Sequence, residues 1–441
     1  MNISANEWSR RPALDVDYLP ADALLRHQSS ILSKFLHHTY KHPLTRKRMS
    51  GITTSMLHDE HPIEILRQIS PAFSSDHSDA IVTRGEFADK WQQDGGSPIV
   101  FSTGGTTGQP TLLVNTYDET LRNAIYHGKG YHAAGIRSHH RVATLGGTGT
   151  FASEYCVYHA LNTTGCTIVP INDFRKAEEN VSILEDLFVS ALLVMPSEAF
   201  PLLDFLESRD RYLPQIKLVV TGGEPLSHQL KMRMSRRFSS DLAFGSTFQT
   251  ADVGTVGYQC HLCGVGEYHV HSGLIFAEIE VIDGNSELII TNLDRKMMPV
   301  LRLRTGDRAE WVHQPGDVCE CGRTSPRIRL LGRTNEIMKI GGEKVSSSFM
   351  AALPASLGIN EDRMLIEISR TEGGGDAIAI YCNELLEKQL QDRAVIELNR
   401  EPKLAQMLVE GRCALIGFFP EKAQGDLRGS GKRRVVIDVR S

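Results

Sequence analysis

The chain has 441 residues, 41% hydrophobic and 23% charged, enough for two or three domains with substantial cores and too long for a disulfide-stapled scaffold. Its 48 Lys and Arg against 53 Asp and Glu give a net charge of −5 with both signs scattered, which excludes the broad basic surface that a nucleic-acid partner requires. No apolar run reaches the ~18 residues of a membrane span, and the opening MNISANEWSRRPALD lacks the order of a secretion signal, so a cytoplasmic protein with no membrane partner is expected. Eight cysteines are too sparse for a disulfide framework, and four of them crowd into two short pairs, a pattern that points to metal in a reducing compartment.

In chain order, apolar residues recur at three and four over 20–49 (Leu24, Leu25, Ile31, Leu32, Phe35, Leu36), which predicts a packing helix. From about Ile99 the pattern changes to short β-rich runs at 141–145, 166–171, 191–194 and 216–220, separated by glycine-rich turns and amphipathic stretches, an alternating α/β arrangement. Residues 273–332 carry strand signals at 274–282, 288–291, 301–304 and 327–331 and read as a β-subdomain closing the large domain. The pattern then resets, with strands at 364–369, 377–382 and 414–418 and a helix at 384–398, a separate small α+β unit. The expected division is 1–334 and 335–441.

Thr103, Gly104, Gly105, Thr106, Thr107 and Gly108 follow the apolar pair Ile99 and Val100. Consecutive glycines let backbone amides converge on one concavity and the hydroxyls add donors, as polyphosphate oxygens require. A flexible turn after a strand is the plainer alternative. The loop is not a Walker loop, because Gln109 stands where that pattern needs Lys, and the late GSGKRR has Arg433 in place of a hydroxyl.

The glycine-rich loop resembles the phosphate loop of the adenylate-forming (ANL) superfamily, and further matches follow in that family's order. VTGGEPLS (220–227) resembles the turn that lines adenine, through Gly222, Gly223, Glu224 and Pro225. AFGST (243–247) resembles the aromatic-Gly-Ser-Thr motif, with Phe244 on the base and Gly245, Ser246 and Thr247 beside it. LRTGD (303–307) resembles the segment whose Asp, here Asp307, accepts from the ribose hydroxyls. GRTNEIMKIGGEKV (332–345) resembles the hinge, with Arg333 near phosphate or ribose and Asn335 at the pivot, and RGSGKRRVV (428–436) resembles the terminal lysine motif, with Lys432. Within the superfamily the likeness is to phenylacetate:CoA ligases, through LLRHQSSILSKFLHHTYKHPLTRKRM near the N-terminus and CECGRTSPRI at 319–328. The resemblance implies a large ANL-type α/β domain with a β-subdomain and a small mobile α+β domain. It further implies ATP-dependent activation of an aryl acid as an acyl-adenylate, and transfer to CoA.

The residue types suit that chemistry. Joining a carboxylate to ATP brings two anions together, which requires fixed positive charge, and Lys432 is the candidate cation. From charge alone it reads equally as a solvated lysine in a basic tail, and Asp307 as a turn carboxylate. The small-residue run with Gly147, Thr148 and Gly149, followed by Tyr155, is assigned to the acid. Cys260, Cys263, His269 and His271 lie in one segment and Cys319 and Cys321 in another, a set suited to structural zinc. The family's Cys-x5-His and Cys-x-Cys pattern transfers to Cys263, His269, Cys319 and Cys321, with Cys260 and His271 as alternates.

Two departures stand out. Gly104 and Gln109 replace a common hydroxyl and lysine, and Phe248 stands where the family has its magnesium-binding Glu, with Asp252 four residues on as a displaced substitute for holding Mg2+. These keep two other readings open: transfer to a carrier-protein thiol or an amine in a natural-product pathway, and a non-catalytic, zinc-stapled nucleotide-binding protein.

Overall fold

The computed structural model describes residues 16–73, 98–102, 112–145, 152–171, 176–282, 284–334, 337–340, 343–371, 376–411, 413–420 and 435–438. The chain divides into two compact units, Met1–Leu331 and Gly332–Ser441.

In the first unit the N-terminal helix spans Ala21–Tyr40, shorter than the 20–49 expected. The cause is Pro43, whose ring disfavours helical backbone at the residue before it. Leu44 and Met49 are nonetheless buried, so the apolar spacing that suggested a longer helix is core spacing carried on by a series of turns. With the helices Thr54–Asp59 and Pro62–Arg67 this segment packs Leu32, Phe35, Leu36, Ile65 and Leu66 against Leu293 and Leu301.

β1 (Pro98–Ser102) and β2 (Leu112–Thr116) form an antiparallel pair. β3 (Arg141–Leu145), β4 (Thr167–Ile171), β5 (Ala191–Val194), β6 (Leu218–Gly222) and β7 (Ala243–Thr250) run parallel in the order β4-β3-β5-β6-β7. Alternation along these strands explains the layers, since successive side chains face opposite sides of a sheet. Leu192, Val194 and Val219 enter a core with the helices Ala177–Asp186, Phe200–Ser208 and His228–Arg237, while Ala191, Leu193, Leu218 and Val220 enter one with the helices Tyr117–Ala133 and Ala152–Thr164. Both faces are covered, as parallel sheets require. Thr116 starts the helix Tyr117–Ala133 with a reciprocal cap: its hydroxyl accepts from Glu119 N at 3.1 Å and its own N–H donates to Glu119 Oε2 at 2.8 Å.

β8 (Gly254–Tyr258), β9 (Glu267–Val270), β10 (Ile275–Ile282), β11 (Asn285–Asn292), β12 (Val300–His313) and β13 (Arg327–Arg333) extend the sheet to eleven strands, beyond β7 in the order β8-β9-β13-β12-β11-β10. The second unit has a hairpin of β14 (Ile337–Ile340) and β15 (Glu343–Ser346). Its four-stranded sheet runs in the order β18 (Cys413–Phe419), β17 (Asp376–Tyr381), β16 (Leu365–Arg370), β19 (Val436–Asp438). Its core gathers Ile366, Ile368, Ile378 and Ile380 with Leu398 and Leu404. The helix expected at 384–398 is split. A short turn over Glu384–Leu386 precedes the helix Lys388–Leu398, because Glu387 is extended (ψ 126°). Among the described residues no helix is long and apolar enough to cross a membrane.

Candidate functional site

The strand order β4-β3-β5 reverses at β3, and in open parallel sheets ligands bind outside the carboxyl ends of the strands at such a reversal. The segment after β3, with Gly147, Thr148 and Gly149, lies outside the described residues, as do Thr103 to Gly108, Asn335 and Lys432. Tyr155 is in the helix Ala152–Thr164, and its side chain is not described.

The carboxyl ends of β6 and β7 are described. Gly222 pairs with Thr247, Thr221 with Ser246, Val220 with Gly245 and Val219 with Phe244. Thr247 therefore stands at the edge beside Gly222, and Phe244 lies three residues back along the strand. Its ring packs against the core of the first face, with Lys231 Nζ 5.5 Å from the ring centre. Gly223 takes φ +77°, a left-handed turn open to glycine, and Glu224 and Pro225 follow before Ser227 caps the next helix by accepting from Leu230 N at 3.2 Å. Gly245 lies so near the helix Tyr117–Ala133 that a Cβ there would stand 2.6 Å from Ala134 Cβ. Ser246 Oγ is 3.3 Å from Tyr268 Oη, and Phe248 is buried with its ring centre 5.6 Å from that of Tyr268. Phe248 offers no oxygen to a cation. Asp252, half-buried, follows two residues after the end of β7, and Arg295 Nη2 donates to its carbonyl oxygen at 3.4 Å.

Asp307 lies within β12. The pairing of β11 with β12 slips between Glu287↔Arg308 and Ile289↔Arg304, which leaves Thr305, Gly306 and Asp307 in a bulge that Gly306 permits at φ +73°. Beneath it the fully buried Glu287 takes a two-pronged ion pair from Arg304 (Nη2 to Oε2 2.7 Å) and accepts from Gly306 N at 3.3 Å, while Asp307 N donates to Thr305 Oγ1 at 3.0 Å. Arg333 ends β13, in the second unit.

The structure brings together Cys260, His269, Cys319 and Cys321, whose ligand atoms all lie within 4.8 Å of one another. The sequence expectation had Cys263 in that set, and the alternate Cys260 takes its place. The reason is register. His269 pairs with Tyr258 on one side and Arg327 on the other, which brings the residues just after β8 and just before β13 around it. Cys263 sits at the margin, its Sγ 3.6 Å from Cys260 Sγ, and His271 is buried elsewhere against Tyr258 and Tyr126.

The donor set fits a tetrahedral ion. His269 Nδ1 donates to Ser325 O at 3.1 Å, which leaves the Nε2 lone pair facing Cys321 Sγ at 3.6 Å, and zinc–sulfur and zinc–nitrogen bond lengths place adjacent ligands about 3.6 Å apart. Burial pushes the Cys319 thiol up to about 11, so a cation is what would keep it ionised. Arg323 and Arg327 donate to Cys321 Sγ (3.4 Å) and Cys319 Sγ (3.5 Å), offsetting the negative charge that three thiolates leave around a dication. None of the eight cysteines is in a disulfide.

One residue at the edge that sequence reasoning missed is His127. It is fully buried on the helix Tyr117–Ala133, with Nε2 3.3 Å from Thr247 Oγ1, and burial brings its pKa down to about 4. Its trace in the sequence is faint: it shares a helix face with Gly130 and Ala134, the small residues that let β7 approach.

No family model matches the chain. It is 26% identical over 253 residues to phenylacetate-coenzyme A ligase of Aromatoleum evansii and 26% identical over 255 residues to that of Pseudomonas putida, in each case over 55% of this chain and 56% of the relative. The chain thus aligns with little more than half the length of these curated relatives. A crystal structure of 2-hydroxyisobutyryl-CoA ligase in the postadenylation state superposes with a TM-score of 0.73 at 17% identity, over 97% of this chain and 93% of that one. McyG A-PCP complexed with phenylalanyl-adenylate gives 0.51 at 11% identity, over 76% and 64%. The fold is that of the ANL adenylate-forming ligases.

Proposed function

We propose that this chain uses ATP to activate an aromatic carboxylic acid and passes the acyl group to the thiol of CoA. The carboxylate attacks the α-phosphorus of ATP, forming an acyl-adenylate and releasing pyrophosphate. The CoA thiol then loses its proton and displaces AMP from the acyl carbon. The observation that carries this reading is the Gly222–Gly223 turn standing beside Thr247 at the carboxyl edge of a parallel sheet, in a fold shared with adenylate-forming ligases. Similarity to phenylacetate-coenzyme A ligases supports the aromatic acid and CoA.

In this reading the loop Thr103 to Gly108 holds the β- and γ-phosphates, the backbone of 222–225 borders the base, Asp307 accepts from the ribose and Arg333 meets phosphate. Lys432 supplies the cation that lets the carboxylate approach the α-phosphate, Asn335 is the pivot between 1–334 and 335–441, and Gly147, Thr148, Gly149 and Tyr155 border the acid. Phe248 stands four residues before Asp252, the same spacing as from Phe244 to Phe248. Because the edge of the sheet lies at 247–250, we read the aromatic–acid pair four residues along, so that Asp252 would hold magnesium together with the phosphates. Zinc would be held by Cys260, His269, Cys319 and Cys321, a closed set with a structural role. Reduced thiols and a CoA co-substrate suit the cytoplasm.

Incubating the full chain with ATP, magnesium, CoA and a panel of aryl and aliphatic acids, followed by mass spectrometry, tests the proposal. A CoA thioester of an aryl acid is the expected product. Adenylate accumulating without thioester would point to a carrier-protein thiol or an amine as acceptor instead.

A further inference from the structure

His127 Nε2 lies 3.3 Å from Thr247 Oγ1, whereas its Nδ1 is buried and has no hydrogen-bond partner among the described residues. The Tyr131 ring covers it, centre to centre 4.4 Å. At neutral pH the buried ring is neutral and carries one proton. A buried N–H left without an acceptor costs the full desolvation of that donor, so the proton belongs on Nε2, where the threonine oxygen accepts it. Glycines at 130 and 222 leave room for the Thr247 side chain, since a Cβ at 130 would stand 3.2 Å from its Cγ2 and one at 222 would stand 3.2 Å from its Oγ1, so the contact with His127 is what orients the hydroxyl. With its oxygen accepting from His127, the threonine's own proton has no acceptor among the described residues.

We infer that His127 is a positioning residue: by donating Nε2–H to Thr247 it fixes that hydroxyl as a donor, directed at an oxygen of the nucleotide seated against Gly222. The inference rests on the adenylation reading above and assigns a role to a residue that does not itself touch the nucleotide. Glutamine can present an amide N–H at the place of Nε2, whereas leucine keeps the apolar contact with Tyr131 and presents nothing.

The test compares His127→Gln, His127→Leu, Thr247→Val and the Leu/Val double variant in the full chain. The readouts are AMP affinity, ATP–pyrophosphate exchange kinetics, melting temperature, and nitrogen NMR of histidine-labelled wild type. Expected are a wild-type His127 with a protonated Nε2 and a bare Nδ1, and an approximately tenfold weaker AMP affinity and higher KM for ATP in His127→Leu. Thr247→Val should match that loss, the double variant should be no worse than either, as for two members of one interaction, and His127→Gln should stay within about threefold of wild type. A proton on Nδ1, or a His127→Leu variant that melts like wild type and binds AMP equally well, overturns the inference and leaves the adenylation reading standing. A wild type that has the stated tautomer but neither binds AMP nor exchanges pyrophosphate overturns the adenylation reading and removes the role with it.

Discussion

Gly222 and Thr247 are held by strand register between two apolar layers, whereas Cys260, Cys319 and Cys321 lie beyond the strands and gather around His269 of β9, flanked by two guanidinium groups. At the parallel edge the chain removes side chains: glycines at 222, 223 and 245 let backbone, helix and hydroxyl come close. At the Cys/His cluster it concentrates them, and three thiols and an imidazole gain from proximity only when a cation joins them. The first arrangement is stabilised by apolar burial and is preorganised before a ligand arrives. With zinc held there as proposed, the second would tie its stability to metal.

The sharpest way to break the contrast is to remove one thiol. Cys319→Ala should reduce metal content from about one equivalent to near none and lower the unfolding free energy by about 4 kcal/mol, read by metal analysis and denaturant unfolding. Cys263→Ala should retain the metal, and equal loss in both variants would return Cys263 to the ligand set. At the other region, Gly245→Val should cost about 3 kcal/mol, because the new side chain meets Ala134 across a helix–strand contact that cannot widen without moving backbone, and metal content should be unchanged. Asp307→Ala should raise the KM for ATP about tenfold, the scale of one hydrogen bond to a charged group, with little change in melting temperature.

A further effect concerns pH. His127 is neutral in the folded chain down to about pH 4, while its unfolded counterpart takes a proton below about 6.5. The unfolded state therefore binds more protons between those values, and stability falls by about 1.4 kcal/mol per pH unit from this group as the pH drops through that window. Unfolding titrations should show the acid limb of His127→Gln flattened by that amount relative to wild type.

Elements built on apolar runs were legible from sequence. The strand expected at 191–194 is β5, and its reading succeeds because residues buried on both faces leave an uninterrupted apolar signature. Where two structures share one spacing, the sequence is ambiguous. Leu44 and Met49 fit a helix and also fit the turns that replace it after Pro43. Cys260 and Cys263 sit in one C-x-x-C turn, in which Cys263 N donates to Cys260 O at 3.0 Å, and only the pairing of His269 with both of its neighbours selects between them. The segment LRTGD reads as a turn because of its glycine, yet the strand runs through it to His313, with the glycine forming a bulge instead. His127 left only a faint trace because its significance lies in a contact 120 residues away.

Adenylation through Lys432 stands or falls on acid-dependent exchange of labelled pyrophosphate into ATP, compared between wild type and a folded Lys432→Ala variant. Exchange is expected with at least one aryl acid, with a loss of about 10²- to 10³-fold in the variant, the scale of removing one group that stabilises developing charge. Exchange that persists undiminished without the Lys432 amine, or a wild type that binds ATP yet exchanges no pyrophosphate with any acid offered, would contradict it.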